Sequence, residues 1–410
     1  MKILLSAFAC EPVHGSEPYV GWSWANELNA HHEVIVITRT RGLELIRSKG
    51  ETFDFELVDF DLPFWRGKDN HRFIAIHYVL WQVLAFFKVL GIMRRREIDL
   101  IHHLTFNGID VPGFLPLIPG PRFIWGPVGG GQIPPASLKG VFGTGWRRQK
   151  MRAFRKAFAA VNPLVLLATK RADHVFFANR ETAALIARRC KSSSILLETA
   201  IEIEPPLPDP HRRSGRALWL GKVLDRKALV LTIDAFAKAL AVSPGLDLTL
   251  VVAGDGPLLA GARRQAAALG IADKVDFLGR VPLDEVKQLI DGCDFLVFSS
   301  VQDTSGNVVL EAMARGKPVI ALDHQGVGEI IEPGTGIKIP VADYETVVAG
   351  FADAITRLST DEPARQEMGQ KALELIASKH SWQARIRVYN QVLAEAGRSR
   401  GSGMQTSAQA

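Results

Sequence analysis

The sequence predicts an α/β protein built from two doubly wound domains, each a parallel sheet covered by helices on both faces. Three observations carry that prediction. The chain has 410 residues, more than one ordinary hydrophobic core holds. Short apolar strands alternate with helical patterns in two successive runs, and β/α alternation implies parallel sheets. Between the runs lies "IEIEPPLPDPHRRSGR", 201 to 216, whose prolines and polar residues read as a linker.

The first run spans 1 to 200. "KILLSAFA" opens it as a strand and "VGWSWANELNA" follows as a helix. "HEVIVITRT", "FELVDF", "DLIHHLTF" and "RFIWGPV" are further strands, and "HVFFANRETAALIARR" closes the block. The start "MKILLSAFAC" is read as a buried strand and not a secretion signal, because its apolar run is short and Glu11 follows at once. The second run, 217 to 379, begins with the strand "RALWLGKV" and the helix "ALVLTIDAFAKALA". "LDLTLVVAGDGP", "KVDFLGRV", "CDFLVFSS" and "KPVIALD" supply its other strands, with helices between. A terminal helix is expected over 380 to 397, packing back on the first domain, and a disordered tail over 398 to 410.

Composition bounds the function. With 47% hydrophobic and 22% charged residues the chain reads as soluble and globular, and no fixed-period repeat is present. A net charge of +6 suits an anionic ligand or an anionic membrane surface without implying nucleic acid. Three scattered cysteines carry neither a zinc spacing nor a disulfide framework and fit a reducing cytoplasm. "FIAIHYVLWQVLAFFKVLGIM", 73 to 93, is long enough to cross a bilayer, yet His77, Gln82 and Lys88 interrupt it and three arginines follow. A core helix, a membrane-surface helix and a span all remain open for it.

Chemistry concentrates in glycine-rich turns and in one stretch with two acids. In "PVHGSEPYVG" Gly15 and Gly21 frame Ser16 and Glu17, a loop able to bring N–H groups to an anion. "WGPVGGGQIPP" places Gly129 and Gly130 after a strand, where backbone can approach a ligand closely or simply turn sharply. His102 and His103 end a strand and face opposite sides, as core or as functional histidines. Gly254 and Gly256 of "AGDGP" form either a tight strand-to-helix turn or a ligand loop. Lys222 and Lys227 flank a turn after a strand, within reach of phosphate oxygens. "SSVQDTSGNVVLEAMARGKPVIA" sets Asp303 in a loop and Glu311 inside an apolar run. The helix start at Gly306 and Asn307 offers free N–H groups to phosphate, and Glu311 lies about one turn in, roughly 6 Å along the axis. The pair brackets a phosphate site. "DFD", 59 to 61, has the form of a metal-binding DxD, but that pattern arises often by chance, and no metal or cofactor is expected.

The stretch around Asp303 and Glu311 resembles the donor-binding motif of the retaining glycosyltransferases of family 4, which have the GT-B fold: two acids with seven residues between them, then an "EAMARGKPVI" helix and turn. "GKVLDRKAL", "AGDGP", "VDFLGRV" and "GVGEIIEPGTG" match other family segments in order. "FACEPVHGSEPYVGW" and "FIWGPVGGG" look like a bacterial exopolysaccharide subgroup. The resemblance implies that Glu311 binds the nucleotide ribose, Asp303 contacts the donor sugar, and Lys222 and Lys227 neutralise the diphosphate without a metal. It implies a nucleotide-diphosphate sugar donor. The basic, aromatic segment "GTGWRRQKMRAFRKAF", 143 to 158, beside the 73 to 96 stretch points to a glycan or lipid-linked acceptor and to peripheral contact with an anionic membrane on the cytoplasmic side, or else is an ordinary solvated helix. Glu17, His102, His103, Gly129 and Gly130 are the acceptor-side candidates. Three departures stand out: Asp303 for the usual Glu, Lys222 for Arg, and Ala228 for Gly. An epimerase of the same architecture and an inactive sugar-nucleotide-binding partner subunit are the alternatives.

Overall fold

A computed structural model of the chain describes residues 1–12, 17–50, 52–65, 73–106, 108–159, 161–204 and 215–407. The chain divides into two compact units: residues 1–131, 154–199 and 385–410, and residues 132–153 with 200–384. The linker prediction falls largely on 205–214, outside the described residues.

The first unit alternates β1 (Lys2–Ser6), α1 (Glu17–Asn29), β2 (Glu33–Thr38), α2 (Thr40–Lys49), β3 (Glu56–Asp59), α3 (Ile74–Met93), β4 (Leu100–His103) and β5 (Arg122–Val128). It continues through the part of α4 (Trp146–Ala159) from Phe154 onward, then α5 (Pro163–Arg171), β6 (His174–Phe177), α6 (Arg180–Ile186) and β7 (Ser193–Ile195). Its seven strands are parallel, in the order β3-β2-β1-β4-β5-β6-β7. Strands buried on both faces need continuous apolar runs, and β1 and β2 supply them: Ile3 to Leu5 and Val34 to Ile37 are all buried.

The second unit holds β8 (Arg216–Leu220), α7 (Leu229–Val242), β9 (Thr249–Ala253), α8 (Leu259–Ala268), β10 (Val275–Gly279), α9 (Leu283–Asp291) and β11 (Phe295–Phe298). Then come α10 (Asn307–Met313), β12 (Val319–Leu322), α11 (Gln325–Ile330), β13 (Ile337–Ile339), α12 (Tyr344–Thr360) and α13 (Glu362–Leu375). The parallel order is β10-β9-β8-β11-β12-β13. Each sheet therefore reverses winding beside its first strand, between β1 and β4 in one unit and between β8 and β11 in the other. Open α/β sheets bind ligands outside the carboxyl ends of strands at such switch points.

The last helix, α14 (Trp382–Ser407), belongs to the first unit from Arg385 onward. Its backbone stays helical through Ser407 where composition predicted disorder from 398, since extending a formed helix costs far less than nucleating one. Residues 408–410 lie outside the described residues. The helix α3 uses one face as core. His77, Tyr78, Trp81, Gln82, Ala85 and Val89 are buried, so two of the polar residues that interrupt its sequence sit on the packed side.

Candidate active site

In the second unit the turn after β8 and the exit of β11 are laced together. The Val301 N–H donates to the Arg226 carbonyl at 2.8 Å. The Ser299 hydroxyl lies 3.0 Å from the carbonyls of both Lys227 and Ala228, and Ser300 Oγ lies 3.1 Å from that of Arg226. This seam brings Lys227 against Asp303: Lys227 Nζ donates to Asp303 Oδ2, and the Arg226 guanidinium stands 3.8 Å from the same oxygen. Burial pushes the Asp303 carboxyl up, but Lys227 and then Arg226 outweigh it and hold it below the usual carboxylate range. Asp303 is thus a fixed anion at neutral pH. It can stabilise positive charge and cannot donate a proton.

Lys227, predicted to serve a diphosphate, already serves Asp303. Lys222 is exposed and has no side-chain hydrogen bond or ion pair among the described residues, so its charge is uncommitted. Ala228 takes the left-handed conformation at φ 49° where the helix α7 begins, a position that favours glycine.

Gly306 also sits in the left-handed region, at φ 64°, and a Cβ there would lie 2.7 Å from the Val327 side chain. It turns the chain into α10, which is seven residues long with Asn307 first. Val309, Leu310, Ala312 and Met313 of α10 are buried, while Glu311 is only half-buried. Burial raises the Glu311 carboxyl, against the opposing pull of Lys287 and Arg315. Among the described residues no donor reaches that carboxylate. A partly desolvated acid without donors is a natural acceptor for the hydroxyls of a ligand.

Three glutamines that the sequence reading did not single out brace the Asp303 loop. Gln325 Oε1 accepts the Asp303 N–H at 2.8 Å, and Gln325 Nε2 donates to the Ile133 carbonyl at 3.2 Å. Gln132 Nε2 donates to Thr304 Oγ1 at 2.6 Å, and Gln302 Nε2 lies 3.4 Å from the Gln132 carbonyl. Gln325 does this from a strained φ of 54°. Gln325 and Asp303 are 22 residues apart, but the other three pairs lie 170 or more residues apart, beyond the reach of any local pattern.

The other candidates divide. Gly254 and Gly256 make room for backbone: a Cβ would lie 1.8 Å from the Gly221 carbonyl oxygen and 2.4 Å from that of Val223. Close packing between two loops accounts for both glycines without a ligand. Asp59 accepts from Thr40 at 2.6 Å and Asp61 meets His77 at 2.6 Å, so both acids of "DFD" have structural partners. Among the described residues no His, Cys, Asp or Glu cluster is arranged to hold a metal. A cavity of about 860 Å³ in this unit is lined by Phe142, Asp225, Leu229 and Gln265, and neither Asp303 nor Glu311 lines it.

In the first unit His102 and His103 face opposite sides of the sheet, and both are buried. His102 Nε2 lies 2.7 Å from the Gly126 carbonyl and must carry the proton, so Nδ1 accepts from the Tyr389 hydroxyl at 3.1 Å. His103 Nε2 meets the Tyr78 hydroxyl at 2.9 Å. Burial lowers the two rings to about 4 and about 3, so both are neutral core histidines and not exposed bases. Gly129 bridges to Gly108, and Gly130 follows at φ 86°. Glu17 spans the switch point, accepting the Phe106 N–H at 2.6 Å from the loop after β4. Crowding by protein, then the Glu198 carboxylate, push its carboxyl up to about 7. The side chain is nonetheless exposed by surface area, so water screens part of that effect. Gly15 lies outside the described residues.

Comparison with known proteins fits this division. Residues 213–375 match the family model described as "Glycosyl transferases group 1". That segment contains Lys222, Lys227, Asp303 and Glu311. The alpha-D-kanosaminyltransferase of Streptomyces kanamyceticus is 32% identical over 168 residues, 41% of this chain and 42% of that protein. The lipopolysaccharide core biosynthesis glycosyltransferase LpsE of Rhizobium meliloti (strain 1021) is 30% identical over 176 residues, 43% of this chain and 48% of that protein. The matches thus span less than half the length of these curated relatives. Among solved structures, Anabaena HepE in complex with UDP superposes with a TM-score of 0.66 at 17% identity, covering 96% of this chain and 100% of the other. The fold is that of the GT-B glycosyltransferases.

Proposed function

We propose that the chain is a retaining glycosyltransferase that moves a sugar from a nucleotide-diphosphate sugar to an acceptor hydroxyl. The observation that carries the reading is the placement of the two acids. Asp303, a fixed anion, and Glu311, a carboxylate that no donor among the described residues reaches, follow the switch-point strand β11 inside the segment that matches the group 1 family. A UDP complex of the structural neighbour HepE supports a nucleotide donor.

In this reading Glu311 accepts the ribose hydroxyls, and the free ammonium of Lys222 meets the diphosphate. The Lys227–Asp303 pair faces the sugar, where Asp303 offsets the positive charge that grows as the glycosidic bond breaks. The bond from the anomeric carbon to phosphate oxygen breaks. The acceptor oxygen bonds to that carbon on the same face, and its proton passes to the departing phosphate. No protein nucleophile is needed.

The acceptor is a glycan or a lipid-linked oligosaccharide of exopolysaccharide or envelope synthesis, met at the cytoplasmic face of a membrane. The basic helix α4 supports this, with Arg147, Arg148, Lys150 and Arg152 beside exposed Met151, Phe154 and Phe158. A nucleotide-sugar panel read by thermal shift identifies the donor, because tight binding raises apparent stability. Turnover of that donor should need an acceptor and survive chelation by EDTA. Turnover without acceptor would favour an epimerase. Binding without turnover under any acceptor would favour a non-catalytic partner subunit.

A further inference from the structure

The helix α3 presents a second face that the fold leaves uncovered. Ile76 is 55% exposed, Leu80 45% and Phe87 63%, and Leu84 and Gly91 share the same side. Their spacing of i, i+4, i+8, i+11 and i+15 makes one stripe about 22 Å long at 1.5 Å per residue. Val79 and the preceding Phe73 are exposed as well. The helix contains no acidic residue, and its sole cation is Lys88. It runs into Arg94, Arg95 and Arg96, all exposed; Arg96 pairs with Glu56, and Arg94 and Arg95 have no ion-pair partner among the described residues.

By length and composition this helix could cross a membrane. Its other face forbids that within this fold. Tyr78, Trp81, Ala85 and Val89 form part of the unit's core, His77 is tied to Asp61, and the Trp81 indole N–H donates to the Phe60 carbonyl at 2.8 Å. A helix so anchored can lie on a bilayer but not through it. An uncovered apolar stripe of this size on a water-facing surface marks an interaction site. The adjoining exposed arginines select its partner: they match the negative surface potential of an anionic leaflet, and Arg side chains at a helix end reach the headgroup level while apolar neighbours enter the acyl boundary.

We propose that α3 is a monotopic membrane-docking helix, its Ile76–Leu80–Leu84–Phe87 stripe seated in the interface of an anionic bilayer and Arg94 and Arg95 on the headgroups. The proposal stands independently of the transferase reading, because it concerns adsorption of the first unit and not turnover.

The test is sedimentation of the full chain with vesicles of equal parts phosphatidylglycerol and phosphatidylcholine, and with phosphatidylcholine alone. Wild type should pellet with the anionic vesicles. The triple variant Ile76→Glu, Leu80→Glu, Phe87→Glu should lose at least tenfold in partitioning. A second variant, Arg94→Glu with Arg95→Glu, leaves the apolar stripe intact, and should lose about fivefold or more per charge. All substituted side chains are exposed, so thermal melts should match wild type, and a lowered melt would shift the test to the arginine variant alone. Pelleting that both variants leave unchanged would overturn the proposal. So would wild type that ignores vesicles and self-associates in light scattering, which would assign the stripe to a second copy of the chain.

Discussion

Glu311 and Asp303 make opposite predictions for stability. The Glu311 carboxyl is raised by burial, so its contribution to folding is most favourable below its unfolded pKa and is lost as pH rises through the folded value. Glu311→Gln should therefore raise Tm at neutral pH while weakening nucleoside diphosphate binding by roughly 1.5–3 kcal/mol, the scale of a charged hydrogen bond. Asp303 is held below its usual range, so its contribution is present above the unfolded pKa and is lost as pH falls through the folded value. Asp303→Asn should cost roughly 1–3 kcal/mol at neutral pH, between the worth of exposed and buried pairs, and the gap from wild type should close in acid. It should lower kcat more than it weakens binding of the bare nucleotide. Calorimetry and melts across pH read both variants, and a lower Tm for Glu311→Gln would mean that its carboxylate has a partner in solution.

At the scale of elements, the loop between β11 and α10 is only as well placed as its braces. Gln325 holds the Asp303 N–H from a left-handed backbone that costs a non-glycine residue about 1–2 kcal/mol. Gln325→Gly should relieve that strain and lose the brace, leaving stability within about 1 kcal/mol of wild type while kcat falls roughly tenfold or more. Unchanged kcat would make Gln325 a bystander. Ala228 at the start of α7 poses the same question without a brace. Ala228→Gly relieves the left-handed strain but uncovers a buried methyl worth about 0.8 kcal/mol, so Tm should rise slightly or hold. The strands and the two acids with seven residues between them were legible because period and turn residues are local signals. Gln132, Gln302 and Gln325 were not, because each owes its role to a partner brought near only by the finished sheet. His102 and His103 show the converse. Their strand-end position was legible, but burial and the Tyr389 and Tyr78 hydroxyls decide that they are structural.

At the scale of the molecule, each unit has its own switch point and its own titrating group. Glu17, pushed up to about 7, bridges the one in the first unit. A raised carboxyl favours the fold in acid and loses that advantage as pH rises through 7. Wild type should lose Tm relative to Glu17→Gln as pH rises from about 4.5 to about 7 and hold level above that, and nucleotide affinity should be equal in the two, since Glu17 belongs to the other unit. A pH limb in turnover near 7 that vanishes in Glu17→Gln would assign it to the acceptor. The two-domain plan and the membrane-length apolar segment were legible from alternation and composition. Which face of that segment stays bare was not, since only the packed sheet decides which stripe of α3 is covered.

The hydrogen bond between His102 and Tyr389 joins positions 287 residues apart, and Arg385 reaches the Thr199 carbonyl from the same helix. On the ribosome this becomes a matter of timing. All strands of the first sheet emerge before residues 200–384 of the second unit, yet the helix that seals their core follows that stretch. From the end of β7 at Ile195 to Arg385, at about 5–20 residues per second, that interval is roughly 10–40 s. During it Trp24 and His102 lack the Tyr389 ring that packs against both. The nascent first unit must wait, incomplete, for nearly the whole of the second to be translated, and a stop codon before Arg385 would strand it there.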